Sequence, residues 1–174
     1  LRVGVRPGML LADARTLCPH LTALPADPAR ARAILDRLAL WARRWGPLSA
    51  VDPPDGLLVD ITGSAHLFGG EQAMLKEAAA IFAQRGVMVG LAIAPTGGAA
   101  WALARFGTNA ILPPFSLKPG ESCETLDALP VAALRLEPPV LLTLRRLGLK
   151  RIGDLHTIDR DTLQRRFRSR LPTG

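Results

Sequence analysis

The spacing of apolar residues along this chain changes repeatedly, and each change marks an expected element. Residues 10–17 carry a short helical pattern that Pro19 ends, because proline cannot continue a helix. Asp27 followed by Pro28 reads as an N-cap with proline at the first helical position. Ile34, Leu38, Trp41 and Trp45 recur at spacings of four, three and four, one stripe of an amphipathic helix that Gly46-Pro47 breaks. Both tryptophans are expected in the core, and Arg30, Arg37 and Arg44 lie off the stripe. After residues 48–52 come the turn formers Pro53-Pro54-Asp55-Gly56 and a β-branched, apolar run at 57–62, which together read as a loop entering a strand. Residues 71–85 make a helix with Met74, Leu75, Ala78 and Phe82 on one face and Gly86 as its stop. Residues 87–94 are apolar throughout, which predicts a central strand, and Thr96 caps a helix running to Phe106. Helix, strand, helix, strand, helix predicts an α/β sandwich with its sheet covered on one face. Residues 113–120 are proline-rich and read as a linker. Beyond it the pattern is helical at 126–134, 139–147, 152–155 and 161–167.

Composition narrows the class. With 174 residues, 48% of them hydrophobic, and a mean hydropathy of +0.19, the chain can bury a core, which excludes disorder as its overall state. No apolar run approaches the roughly 20 residues that cross a bilayer, and no leader pattern opens the chain, so a soluble, cytoplasmic protein without a membrane partner is expected. Cys18 and Cys123 are far apart, with no CxxC and no histidine at ligand spacing, and are expected to be reduced, buried thiols. The net charge of +7 is concentrated. From Pro130 onward ten Lys/Arg face four Asp/Glu, whereas the preceding residues carry twelve against eleven. That asymmetry fits a polyanion-contacting module at this end, and it fits a solvated arginine-rich surface equally well.

Candidate chemistry is sparse. Asp52, Asp55 and Asp60 cluster, and paired carboxylates near a strand edge are what divalent-metal phosphoryl transfer needs. Parity argues otherwise: in an extended 55–61 segment Asp55 shares a face with Leu57, Val59 and Ile61, while Asp60 points to the opposite face. The plainer reading makes these carboxylates turn formers and caps. Thr96-Gly97-Gly98, after a strand and opening a helix, could hold a phosphate, but without a lysine a capped, close-packed helix start is the simpler reading. His20, His66 and His156 have no acidic or nucleophilic companion at a telling spacing. The helical pair near Pro130–Leu155 is the stronger signal. Two short helices joined by a tight turn can offer backbone N–H groups to a phosphate without reading bases. Arg145, Arg146, Lys150, Arg151, Arg165, Arg166, Arg168 and Arg170 would supply salt-sensitive affinity.

Several ordered segments resemble the Y-family (DinB/UmuC-type) translesion DNA polymerases. Gly4-Val5-Arg6-Pro7-Gly8-Met9 with Leu17-Cys18-Pro19 is similar to their fingers, and Asp60-Ile61-Thr62-Gly63 and Ala92-Ile93-Ala94-Pro95 to palm strands. Leu147-Gly148-Leu149 with Ile152-Gly153-Asp154-Leu155 is similar to their helix–hairpin–helix thumb. The phrasing from Asp52-Pro53-Pro54-Asp55-Gly56 through Ala65-His66-Leu67-Phe68-Gly69-Gly70-Glu71 resembles the ImuB-like branch, polymerase-related proteins of bacterial damage-induced (SOS) mutagenesis. The resemblance implies an α+β fold: a ferredoxin-like palm sheet with packed helices, an N-terminal fingers remnant and an all-α helix–hairpin–helix thumb. It places fingers at 1–27, palm at 28–113 and thumb at 114–174, with no little-finger domain or clamp-binding peptide, as in a fragment or a truncated copy.

The departures from the family pattern bear on activity. Active members carry a Ser-x-Asp-Glu motif whose two carboxylates serve the metals; counted back from Asp60 it falls on Pro53-Pro54-Asp55-Gly56, so Asp55 keeps one position and Gly56 offers no ligand. The family's other metal-binding aspartate would lie upstream of Leu1, and a triphosphate-neutralising lysine maps to Gly97. Where active relatives have a Gly-x-Gly hairpin, this chain has Glu137-Pro138-Pro139. The resemblance therefore implies an inactive adaptor in DNA damage tolerance. It would contact damaged or primer–template DNA through Arg145, Arg146, Lys150, Arg151, Arg165 and Arg166, and join a sliding clamp and a separate error-prone replicative-type polymerase near the nucleoid. No cofactor is expected. Two alternatives stay open: an active translesion polymerase with Asp55 catalytic and holding Mg²⁺, and a protein-interaction scaffold that does not touch DNA.

Overall fold

A computed structural model of the chain describes residues 4–6, 8–107, 110–111 and 123–158. Helix α1 spans Leu11–Leu17 and α2 spans Pro28–Ala42. The sequence signals at the start of α2 act as expected: Asp27 Oδ1 accepts from the Arg30 amide at 2.9 Å, and Pro28 costs nothing because its missing N–H would have had no partner in the helix. The expected stripe packs only from Leu38 onward. Ile34, in the first turns of α2, is 47% exposed, and Trp45 lies in the turn after the helix.

Strands β1 (Leu48–Asp52) and β2 (Gly56–Asp60) form an antiparallel hairpin in which Leu48 faces Asp60 and Asp52 faces Gly56. Its turn is Pro53-Pro54-Asp55, with a cis bond between the prolines. The chain enters β1 so close to β2 that a Cβ on Gly46 would stand 1.9 Å from the Asp60 carbonyl oxygen. Helix α3 (Glu71–Gln84) buries Met74, Leu75, Ala78 and Phe82, the face read from the sequence, and Gly86 follows at φ +67°. Ala42, Trp45, Met74, Ala78 and Phe82 form the first core, onto which the hairpin lays Leu57, Val59 and Ile61. Trp41 meets Trp45 and Phe82 edge-on.

The expected strand over 87–94 shrinks to β3 (Ala92–Ile93), parallel to β4 (Ala110–Ile111). An apolar run signals burial, but a strand needs a partner ladder, and only residues 92–93 meet one. Val87 and Met88 are exposed instead, and Gly90 is pressed against the Ala104 carbonyl. Among the described residues, two separate two-stranded sheets stand where a single covered sheet was expected, and the architecture is α+β.

Helix α4 (Gly97–Phe106) starts with the Thr96 hydroxyl accepting from the Ala99 amide at 3.2 Å, so the Thr-Gly-Gly segment is a capped helix start. Ala102 and Leu103 of α4 form a second core with Leu129 and Ala133. The helix expected over 126–134 is two pieces, α5 (Glu124–Asp127) and a 3₁₀ turn at Val131–Leu134, because Pro130 has no N–H to continue α5. Helix α6 (Pro138–Arg146) brings Val140 and Leu144 onto Val131 as a third core. A final 3₁₀ turn spans Gly153–Thr157. The Val131 amide donates to the Lys150 carbonyl and the Ile152 amide to that of Leu129, both at 2.9 Å, which closes this helical module. The linker at 113–120 and the helix at 161–167 lie outside the described residues, as do Arg165, Arg166, Arg168 and Arg170. Cys18 and Cys123 are free but half-buried rather than buried, since each stands at the edge of its short helix. Among the described residues, no helix is long and apolar enough to cross a membrane.

Candidate functional site

The tip of the β1–β2 hairpin gathers the acidic residues, and the fold supplies each with a partner that its sequence neighbours do not suggest. Asp55 sits in the turn rather than in the extended register that parity assumed. There it is gripped by both terminal nitrogens of Arg105, on the last turn of α4, with Nη1 3.3 Å from Oδ2. The Arg105 hydrogen bond, reinforced by its charge, holds the Asp55 carboxyl below its ordinary value and raises the guanidinium in turn. Asp52, at the end of β1, is 12% exposed, and its Oδ1 lies 2.7 Å from Arg135 Nη2. Asp60 points elsewhere: its Oδ1 accepts from the Thr62 amide at 2.9 Å, and the Thr62 hydrogen bonds lower its pKa.

Trp101 of α4 lies between the two arginines, 5.2 Å from the Arg105 guanidinium and 4.7 Å from that of Arg135. Arg135 follows the 3₁₀ turn in the left-handed region, φ +56°, where glycine is the usual occupant. The aspartates therefore face guanidinium ions held against an indole ring.

This arrangement does not fit a divalent ion. A magnesium site needs several hard oxygen donors free to turn toward the metal. Asp55 and Asp52 are each committed to an arginine, and Gly56 has no side chain to add. Among the described residues, no three His, Cys, Asp or Glu gather as a ligand set.

The basic residues lie at the other end of the helical module. Arg145 and Arg146 form the last turn of α6 and are exposed, and Lys150 and Arg151 follow the Gly148 turn, also exposed. The backbone of this segment is not available to phosphate in the way the sequence suggested. The Lys150 and Arg151 amides both donate to Asp154 Oδ2 at 2.8 Å, and those bonds lower the Asp154 pKa. Any phosphate contact here falls to side chains. His156, without a companion in sequence, meets Asp127 across 29 positions, with Nε2 2.9 Å from Oδ1. On the hairpin's outer face a groove of about 900 Å³ opens between Leu48, Ala50 and Leu58 on one side and Ile93, Thr96 and Gly97 on the other.

Arg105, Trp101 and Arg135 are the site residues that sequence reasoning missed. The Asp–Arg pairs span 50 and 83 positions, so no local spacing signals them.

The fold is shared with DNA polymerases of the DinB type. DinB from Sulfolobus solfataricus and a DinB family error prone DNA polymerase from the same organism match with TM-scores of 0.67 and 0.68, each at 18% identity. Those matches cover 94% of this chain and 48% and 50% of theirs. The sequence profile of the impB/mucB/samB family matches residues 2–105, and the chain belongs to this family, the Y-family of DNA polymerases and their relatives. It is 46% identical over 165 residues to Protein ImuB of Caulobacter vibrioides, covering 95% of this chain and 35% of that protein. It is 29% identical to DNA polymerase IV of Escherichia coli O1:K1 over 174 residues, covering 47% of the polymerase. The chain thus spans a third to a half of the length of these relatives.

Proposed function

We propose that this chain forms the fingers (1–27), palm-like (28–113) and thumb-like (114–174) parts of a catalytically silent, ImuB-like protein. In this reading it holds primer–template or damaged DNA as an adaptor in damage tolerance, bringing a sliding clamp and an error-prone polymerase together in the nucleoid region. The observation that carries the silent part is the Arg105–Asp55 pair beside Gly56. Phosphoryl transfer depends chiefly on preorganised positive charge facing the phosphates. An Asp55 carboxylate already held by Arg105, with no second carboxylate at Gly56, is ill placed to hold the metal that would supply it. Support for the DNA part is the exposed group Arg145, Arg146, Lys150 and Arg151, reinforced in sequence by Arg165 and Arg166. Asp55 as a catalytic, Mg²⁺-holding residue becomes the alternative, and it requires Arg105 to leave.

The test is salt-titrated binding of the chain to primer–template DNA, together with primer extension. Binding should fall linearly in log–log form, and neutralising Arg145, Arg146, Lys150 and Arg151 should reduce the slope by about 3–4 and weaken all sequences alike. A slope near zero refutes DNA holding. It would favour the scaffold reading, which the exposed Leu10, Leu11, Leu17 and Leu24 independently support. Templated extension with Mg²⁺ or Mn²⁺ refutes silence.

A further inference from the structure

The carboxylates that fail as metal ligands have another use. Asp52 and Asp55 end the hairpin, Arg105 and Trp101 belong to α4, and Arg135 belongs to the helical module, so the five residues connect three parts of the fold in one row. We propose that Asp52, Arg135, Trp101, Arg105 and Asp55 form a clasp that fixes the helical module against the hairpin tip, with the two guanidinium groups as the resident cations of the carboxylate pair. The clasp does not rest on the DNA reading.

Three features support it beyond the ion pairs. Asp52 is almost enclosed, and among the described residues its Oδ2 has no hydrogen-bond partner; its charge is met by the Arg135 contact and, at longer range, by the Arg105 guanidinium. Arg135 holds the left-handed backbone conformation while reaching Asp52, and such a conformation persists only where the surroundings over-determine it. Trp101 gives both guanidiniums a face to lie on, which restricts long side chains that would otherwise lose entropy on pairing. Gly56 completes the arrangement: a Cβ there would sit 3.0 Å from the Asp52 carbonyl oxygen and 3.3 Å from Oδ2, in the space the enclosed carboxylate uses.

The experiment is a double-mutant cycle on the whole chain, read by amide hydrogen exchange of residues 130–137 and 52–57. Asp52→Asn and Arg135→Gln should each speed exchange in both segments by about tenfold, the combined size of one partly buried ion pair and one cation–π contact. The double variant should be no faster than the faster single variant. Additive effects would overturn the clasp. If Asp52 variants fail to fold, the more exposed pair provides the same cycle with Asp55→Asn and Arg105→Gln, and additivity there overturns it too. Mn²⁺ titrated into the unmodified chain should leave the amide signals of 52–57 sharp. Selective broadening there would mean that a metal displaces the arginines, and would refute the proposal.

Discussion

Replacing Gly56 by glutamate would restore the family's second carboxylate in composition, and the structure predicts that it would fail in effect. Gly56 is not required by its backbone, since its φ is not among the positive ones. It is required by what lies over it: a Cβ would meet the Asp52 carbonyl oxygen at 3.0 Å, Oδ2 at 3.3 Å and Cβ at 3.4 Å. Crowding of this kind costs about 1–3 kcal/mol, and the lower end applies because the contacts are tight rather than overlapping. The loss of glycine's freedom in the unfolded chain returns about 0.4–1 kcal/mol, so Gly56→Ala should fall within about 1 kcal/mol of the parent. The glutamate then adds a negative charge beside Asp52. At roughly 4 Å in water-like surroundings that repulsion is about 1 kcal/mol, with a further loss wherever it competes for Arg135. Gly56→Glu should therefore be about 1–2 kcal/mol less stable than the parent, or roughly 2–8 °C in Tm for a chain of this size. Gly56→Gln should lie between alanine and glutamate. Thermal unfolding of the three variants separates the steric from the charge contribution, and primer extension by Gly56→Glu should remain at background. Equal Tm for the glutamate and glutamine variants would refute the charge argument. A glutamate variant that extends primers would refute the claim that the arginines keep the hairpin tip from serving a metal, leaving the missing carboxylate as the cause of silence.

Acid should weaken the hairpin tip. Arg105 holds the folded Asp55 carboxyl below the unfolded value of about 3.9, so the pair's contribution is complete above that pH and is lost as pH falls through the lower folded value. Urea midpoints measured from pH 6 to 2.5 should decline below about pH 4, and more shallowly in Asp55→Asn, where Asp60 and Asp154 still titrate; an unchanged decline in that variant refutes the assignment. Gly46→Ala places a Cβ 1.9 Å from the Asp60 carbonyl, which only backbone movement can relieve. It should cost about 3 kcal/mol or more, and a Tm within about 2 °C of the parent would show that the turn into β1 yields more easily than its geometry indicates.

The parts of the fold that could be read from the sequence are those where one segment carries its own instruction. Helix α3 was legible to within one residue, with its buried face, because its stripe packs along its whole length, and strand β2 because Pro-Pro-Asp-Gly marks the turn before it. That residues 48–52 pair with it as a second strand was not legible. Legibility failed where the outcome depended on a distant partner. Residues 87–94 have strand composition, but only two of them find a ladder. Ile34 belongs to the stripe of α2 by spacing, but the packing leaves it half-exposed. The candidate site divides the same way. Its aspartates could be found from sequence, whereas Arg105 meets Asp55 only where α4 reaches the hairpin turn, and Arg135 is brought beside α4 by the packing of Leu103 on Leu129 and Ala133.

Arg135 shows how the pieces depend on one another. An arginine in the left-handed region costs about 1 kcal/mol or more relative to glycine, and a turn shaped only by its backbone would carry glycine there. The cation–π contact with Trp101 is worth about 0.5–1 kcal/mol, and the bond to a mostly enclosed Asp52 adds a similar amount, so the side chain roughly offsets the strain it creates. Global stability is then a poor reporter on this residue: removing strain and clasp together leaves the sum nearly unchanged. Glutamine at 135 keeps the backbone cost and removes only the charge, so it isolates the contact, whereas glycine would hide it. Arg135 stands at a position where the backbone alone gains nothing from it, and the carboxylate it reaches, Asp52, directly precedes the turn that carries Asp55. The same side chain thus ties the helical module to the hairpin tip, while Arg105 holds the Asp55 carboxylate beside it.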